Sequence, residues 1–291
     1  MAKLTVATCQ FPVSADIARN RRYVRRQVRT ARERGARVAH FPECALSGYA
    51  VADFPSHAGA DWDALEDSVR GVMELARELR MWVVLGSGHR LTGDHKPHNS
   101  LYVIDDAGEL VDRYDKRFCG SVDLEHYSPG DHPSVFTIDG VRCGALICYE
   151  FRYPELYREY RREDVELVFH SYHAGNIPAA ELPHRPYPAA TMPPTMIAAA
   201  AANHVWISCP NSSAPQSAWG AFFVRADGII TGRLPRNRAG VLISEVDTDA
   251  ALYDSTASWR DRAMNGILHS GTLVDDPRSR ARTSLFGSGT P

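Results

Sequence analysis

Gly144-Ala145-Leu146-Ile147-Cys148-Tyr149-Glu150-Phe151-Arg152-Tyr153-Pro154-Glu155 is an apolar run that ends in a thiol and then turns charged and aromatic. A buried strand delivers a nucleophile to a turn in this way. A structural cysteine more often lies inside the apolar run. At the polar edge, a strand-to-helix turn exposes the side chain, and local N–H groups favour a thiolate. Pro154 then opens a helix to Arg162, at a first-turn position where its missing N–H is not needed.

Outward from this stretch, strands and helices are mixed along the whole chain. Leu4–Ala7, Val38–Pro42 and Trp82–Gly88 read as strands, with amphipathic helices over Ile17–Arg34 and Trp62–Leu79 between them. Asn99–Ile104 and Glu109–Tyr114 form a hairpin about Asp105-Asp106-Ala107-Gly108, and Val135–Ile138 with Val141–Ile147 another about Asp139-Gly140. Beyond the cysteine come a strand Val165–Phe169, a helix Thr195–Asn203 and a strand Val205–Ser208. A late hairpin-like pair, Ala221–Ile230 and Val241–Val246, surrounds Asp227-Gly228. The class is α/β, with helices covering a mixed sheet or pair of sheets. His173–Pro194, proline-bearing and aperiodic, reads as a long ordered loop near a site or as a plain surface excursion. Residues 1–274 read as one domain and 275–291, rich in Pro, Arg, Ser and Gly, as an arm or disordered tail.

With 291 residues, 44% of them hydrophobic, the chain can bury a large core. A formal net charge of -2 supplies no basic field for nucleic acid or an anionic membrane, so a small molecule is the expected partner. The start of the chain has no apolar leader, and no stretch approaches the roughly 20 apolar residues that span a bilayer. A cytoplasmic protein with reduced thiols is expected: the six cysteines contain no C-x-x-C pair and do not form a dense disulfide framework. Neither a metal nor a cofactor motif appears.

Two more segments end strands in reactive groups. Phe41-Pro42-Glu43-Cys44-Ala45-Leu46-Ser47-Gly48-Tyr49 sets an acid at a sheet's end, and Tyr114-Asp115-Lys116-Arg117 sets a lysine there. Taken singly, each has an ordinary reading: a loop glutamate in water, a surface lysine beside Arg117, a small core cysteine. Taken together, Glu43, Lys116 and Cys148 are the parts that thiol acyl transfer requires.

In these three motifs and their order the chain resembles the nitrilase, or carbon-nitrogen hydrolase, superfamily. The likeness runs from Val6 to about Val246. It implies a four-layer αββα sandwich, paired into a homodimer or higher homo-oligomer, with no metal or cofactor. It also implies that Glu43 is the general base, Cys148 the nucleophile, and Lys116 with the Tyr149 N–H the oxyanion donors. Between Lys116 and Pro129-Gly130 the family carries a second acid. Here the position falls on Asp123, one methylene short of the usual Glu, with Glu125 the alternative. Arg152 and Glu155 are expected to pair near the start of the helix. Tyr49, His170, His173 and Trp219 are the candidates for the substrate wall; the two histidines either meet a polar or acidic substrate or hydrogen-bond their loop.

Cys-Tyr-Glu-x-Arg is similar to the amidase and carbamoylase branch. The expected activity is therefore hydrolysis of a small linear amide or N-carbamoyl compound through a thioester, releasing ammonia or an amine. The alternatives are a nitrilase, an amide-forming acyl transferase, or a non-catalytic binding member of the same fold.

Overall fold

Alternation along the strands assigns each apolar side chain to one of two faces, and this decides the layering. In the computed structural model, which describes residues 2–50, 52–176 and 186–283, Leu4 and Val6 of β1 (Lys3–Gln10) point into a central core while Ala7 and Cys9 point outward. The same division holds in β3 (Trp82–His89), with Val84 inward and Val83 and Leu85 outward, and in β4 (His98–Ile104), with Leu101 and Val103 inward.

Two six-stranded sheets result. The first has the order β12-β1-β2-β3-β4-β5, where β2 is Val38–His40, β5 Leu110–Asp115 and β12 Gly240–Asp247. The second has the order β11-β10-β9-β8-β7-β6, from β6 (Val135–Ile138), β7 (Val141–Ile147), β8 (Leu167–Ser171), β9 (Trp206–Cys209), β10 (Phe222–Val224) and β11 (Ile230–Arg233). Helices α1 (Ile17–Glu33) and α2 (Trp62–Leu79) cover the outer face of the first sheet through Val24, Val28, Leu65, Val72 and Leu75. After the short α3 (Asp123–His126), α4 (Pro154–Arg162) and α5 (Pro186–Asn203) cover the second through Tyr157, Tyr160, Met196 and Ala200. The four layers run α, β, β, α, as the resemblance implies. This unit comprises residues up to Thr256; from Ala257 a second unit carries α6 (Arg260–Met264) and α7 (Pro277–Arg280). No helix among the described residues is long and apolar enough to cross a membrane.

Two elements differ from the sequence reading. Val241–Val246 does not join Ala221–Ile230: β10 turns back through Asp227-Gly228 onto β11, while β12 runs antiparallel to β1 from Lys3↔Asp247 to Gln10↔Gly240. Local turn chemistry found the hairpin, but nothing local in β12 marks its partner in the other sheet. The helix expected from Thr195 begins instead at Pro186 and holds Pro193 and Pro194 within it. Met192, Met196 and Ala200 are buried at four-residue spacing, and that packing outweighs the hydrogen bonds lost at the prolines. The rest of the expected loop, residues 177–185, lies outside the described residues.

A buried polar chain joins the two sheets. Thr8 Oγ1 and Ser208 Oγ lie 2.7 Å apart, Ser208 Oγ is 2.9 Å from His40 Nδ1, and His40 Nε2 is 2.8 Å from Ser171 Oγ. Ser171 Oγ donates to the Phe41 carbonyl at 2.8 Å, which fixes the direction of every proton in the chain: Thr8 to Ser208 to Nδ1, and Nε2–H to Ser171. Burial, with His170 nearby, holds His40 well below the usual imidazole range, so this neutral form persists. The chain ties the end of β2 to the end of β8.

Candidate active site

Glu43 lies just past β2, Lys116 just past β5, Cys148 just past β7 and His173 just past β8. Strand ends from both sheets therefore meet at one place. The Glu43 N–H donates to the Tyr172 carbonyl at 3.2 Å, so the acid's backbone is pinned to the opposite sheet. Beneath this turn runs Gly86, where a β-carbon would stand 2.0 Å from the Pro42 oxygen and 2.8 Å from the Cys44 nitrogen. Gly86→Ala must displace the Glu43 turn. A shift of about 1 Å in a catalytic group costs about 100-fold in rate, and overpacking costs about 1–3 kcal/mol. Steady-state rates and a thermal melt on this variant should show both losses.

The Lys116 ammonium is 2.9 Å from Glu43 Oε1 and 2.7 Å from Asp123 Oδ2, with side-chain exposures of 1% for the lysine and 0% and 5% for its partners. Its pKa is pushed well above the ordinary value: burial lowers it, but the Glu43 carboxylate, Tyr49 and Asp123 outweigh that. Asp123 also accepts from the Tyr49 hydroxyl and from the Gly120 N–H at 3.1 Å. The Lys116 contact, with these bonds, keeps its carboxyl below the usual range despite burial. Glu125 is exposed and reaches none of these groups. The shorter acid suffices because Asp123 opens α3, which brings its backbone close to the lysine.

Asn99 Nδ2 donates to Glu43 Oε1 at 2.7 Å, so this oxygen has two donors. Glu43 Oε2 is buried and has no hydrogen-bond partner. An anionic oxygen left this way is costly unless a proton or a ligand meets it. Burial pushes the Cys148 thiol well above its ordinary pKa, the Glu43 carboxylate adds to the rise, and Lys116 and the His173 N–H oppose it. At rest the sulfur thus keeps its proton.

Cys148 itself is partly exposed and has φ 43°, a left-handed backbone that costs a non-glycine residue about 1–3 kcal/mol. Two buried groups hold it there. Glu150 accepts from the Ile147 N–H at 2.7 Å through one oxygen, and through the other from the Tyr114 hydroxyl at 2.7 Å and the Arg117 and Phe118 N–H groups at 2.8 and 3.1 Å. One carboxylate thereby clamps the cysteine's turn to the lysine's loop. His170, wholly buried, lies 3.2 Å from the Cys148 carbonyl through Nε2 and 2.7 Å from the Tyr157 hydroxyl through Nδ1. Burial pushes it down to about 3, so it stays neutral and donates through Nε2.

His170, one of the candidates for the substrate wall, is therefore committed through both ring nitrogens to the Cys148 carbonyl and the Tyr157 hydroxyl. Trp219 is 7% exposed and packs edge-on against Tyr172, 5.8 Å between centroids. Tyr49 and His173 are neighbours, their rings 5.2 Å apart, and the Lys116 ammonium is 5.9 Å from the Tyr49 ring centre. Tyr149 is the second residue of the 3-10 turn Cys148–Arg152, where the first N–H groups of a helical turn lack internal acceptors. Arg152 does not pair with Glu155. Its guanidinium lies over the rings of Phe151 and Tyr149, at 4.9 and 5.5 Å, because the 3-10 turn places both rings beside it.

The reading from sequence missed Asn99, Glu150 and Asp53 as parts of this centre. Glu150 sits inside the quoted motif, but its reach to residues 114–118 has no local mark. No group of three or more His, Cys, Asp or Glu able to hold a metal occurs among the described residues. Surface hollows of about 410, 420 and 530 Å³ lie elsewhere, and none includes Cys148 among its lining residues.

Comparison with known proteins bears on the family and the fold. The model of the family described as carbon-nitrogen hydrolase matches residues 5–253. The omega-amidase NIT2 of Bos taurus is 29% identical over 177 residues, covering 58% of this chain and 63% of that protein. The deaminated glutathione amidase of Yersinia enterocolitica is 27% identical over 181 residues, covering 58% and 62%. The aligned part thus spans less than two thirds of these relatives. Among solved structures, a mutant of the amidase from Nesterenkonia sp. AN1, with the acetamide moiety of fluoroacetamide covalently added at its active-site cysteine, superposes with a TM-score of 0.71. The identity is 20%, over 84% of this chain and 90% of that one.

Proposed function

We propose, for a chain that belongs to the carbon-nitrogen hydrolase family, that it hydrolyses small linear amides or N-carbamoyl compounds through a thioester on Cys148. The observation that carries this reading is a protonated thiol, on a partly exposed residue, in the field of a buried carboxylate whose Oε2 has no partner. Glu43 Oε2 takes the thiol proton as the sulfur attacks the amide carbon. The oxygen of the tetrahedral intermediate is held by Lys116 and the Tyr149 N–H. Glu43 then gives the proton to the departing nitrogen, ammonia or an amine leaves, and a thioester remains. Water, deprotonated by the same Glu43, cleaves the thioester and restores the thiol. Lys116 stays charged throughout. Its role is electrostatic, with Asp123 fixing its position.

The names of the relatives, omega-amidase and deaminated glutathione amidase, support the amide side of the family. A small-molecule substrate, a cytoplasmic location that keeps the thiol reduced, and assembly into a homodimer or higher homo-oligomer complete the reading. Of the six free cysteines, all but Cys119 and Cys148 are buried, which makes a selective test practical. Incubation with a primary amide should release ammonia and give an acyl adduct that peptide mass spectrometry assigns to Cys148. Faster turnover of the matching nitrile, or an adduct on Cys119 alone, would overturn the proposal.

A further inference from the structure

His173 lies on the wall of this site and is only half used. Its backbone N–H faces the Cys148 sulfur, and its ring rests against Tyr49, whose hydroxyl bonds Asp123. Nε2 is 3.0 Å from Asp53 Oδ2, with side-chain exposures of 0% and 1%. Nδ1 is buried and has no hydrogen-bond partner. Asp53 is fully engaged: besides His173 it accepts from the Tyr49 N–H at 2.9 Å and from Asn176 Nδ2 at 2.6 Å. Three donors stabilise its carboxylate, so Nε2 carries the proton between the two residues.

Joining the loop after β2 to the loop after β8 does not account for this arrangement. Asn176 already makes that link, and a histidine used as a strut leaves a polar nitrogen buried at a cost that only another partner removes. The surroundings decide which partner. Asp53 is in contact with the ring and the Glu43 carboxylate lies in its field; both favour a second proton, on Nδ1, against the opposing effect of burial, and the net direction is upward. Nδ1 then offers an N–H. Elsewhere in the site the ammonium of Lys116 is already matched by two carboxylates, Glu43 and Asp123. An anionic substrate therefore needs a cation of its own, and His173 is the group placed to supply it.

We propose that His173, held by Asp53, determines specificity at this site by binding a carboxylate that the substrate carries at the end away from the scissile amide. The inference rests on the hydrolase reading above and narrows it to monoamides of short dicarboxylic acids. The chain is short because the backbone of the binding residue itself meets the sulfur, which leaves one side-chain length between the reacting carbon and the anion.

Succinamate and butyramide test this directly, since they differ only in a carboxylate against a methyl group. With the full chain and ammonia detection, kcat/KM for succinamate should exceed that for butyramide by about 10- to 100-fold, the range of one charge-assisted hydrogen bond. His173→Gln should collapse the ratio toward one, chiefly through the KM for succinamate, and Asp53→Asn should lower it by a smaller factor. A ratio of one or less in the unaltered protein overturns the inference without any variant. So does an equal loss on both substrates in folded His173→Gln, the mark of a merely structural residue. Turnover of butyramide without preference for succinamate would sink this inference alone. If neither amide is hydrolysed and fluoroacetamide leaves Cys148 unmodified, the hydrolase reading fails and this one with it.

Discussion

Cys148→Ala is expected to lower amide turnover by at least about 10,000-fold while leaving the melting temperature within a few degrees of the parent. The size follows from the chemistry: without the sulfur no thioester forms, and the remaining donors only bind and polarise the substrate. The fold should survive because the side chain is small and partly exposed, and the bonds that shape its turn run through the Ile147 N–H and the Cys148 carbonyl, which alanine keeps. Alanine does share the strain of the left-handed φ of 43°. The turn is therefore neither relieved nor newly stressed. Initial rates, circular dichroism and a thermal melt check both halves; retention of a normal rate by a folded variant would remove the nucleophile from the mechanism.

Lys116→Met should produce the second largest effect, and it should strike activity and stability together. Among the described residues the ammonium is the only countercharge at hydrogen-bond distance from both Glu43 and Asp123, and all three side chains are buried. Removing it leaves two desolvated carboxylates side by side. Breaking a buried ion pair from one end costs about 3–5 kcal/mol, and loss of a preorganised oxyanion donor costs about 100- to 1,000-fold in kcat. Because unmatched carboxylates gain protons more readily, fewer molecules of the variant keep a free carboxylate to receive the thiol proton. The stability deficit should shrink in acid, where those carboxylates are protonated in the folded variant; denaturant titrations at two pH values measure this. A variant as stable as the parent at neutral pH would mean that the triad is not buried as described.

Much of this was legible in the sequence because it depends on local rules. Apolar runs bounded by turn residues marked the strands, amphipathic spacing marked α1, and Pro154 marked the start of α4. Glu43, Lys116 and Cys148 stood out because each follows a strand directly, and strand ends are where a packed sheet presents side chains. What stayed hidden depends on pairings between distant segments. The His173–Asp53 contact spans two loops of opposite sheets, and Glu150 looks like an ordinary motif acid until its donors from residues 114–118 are seen. From its position on the strand after the Cys148 motif, His170 reads as a substrate contact. It faces the interior instead, because in an alternating strand Ser171 and His170 must point opposite ways, and Ser171 is committed to the Phe41 carbonyl. Two prolines concealed the first half of α5, since sequence-local cost was visible and tertiary compensation was not.

The last strand of the sandwich lies against the first, and this separates the two halves of the molecule in time. The sheet behind Cys148 is drawn from one continuous stretch, Val135 to Arg233, and is complete once that stretch has left the ribosome. The sheet behind Glu43 and Lys116 has to wait for Gly240–Asp247. Until then β1 offers a row of unsatisfied amides to any other nascent chain, with the slow long-range closure and the self-association hazard that such an open flank brings.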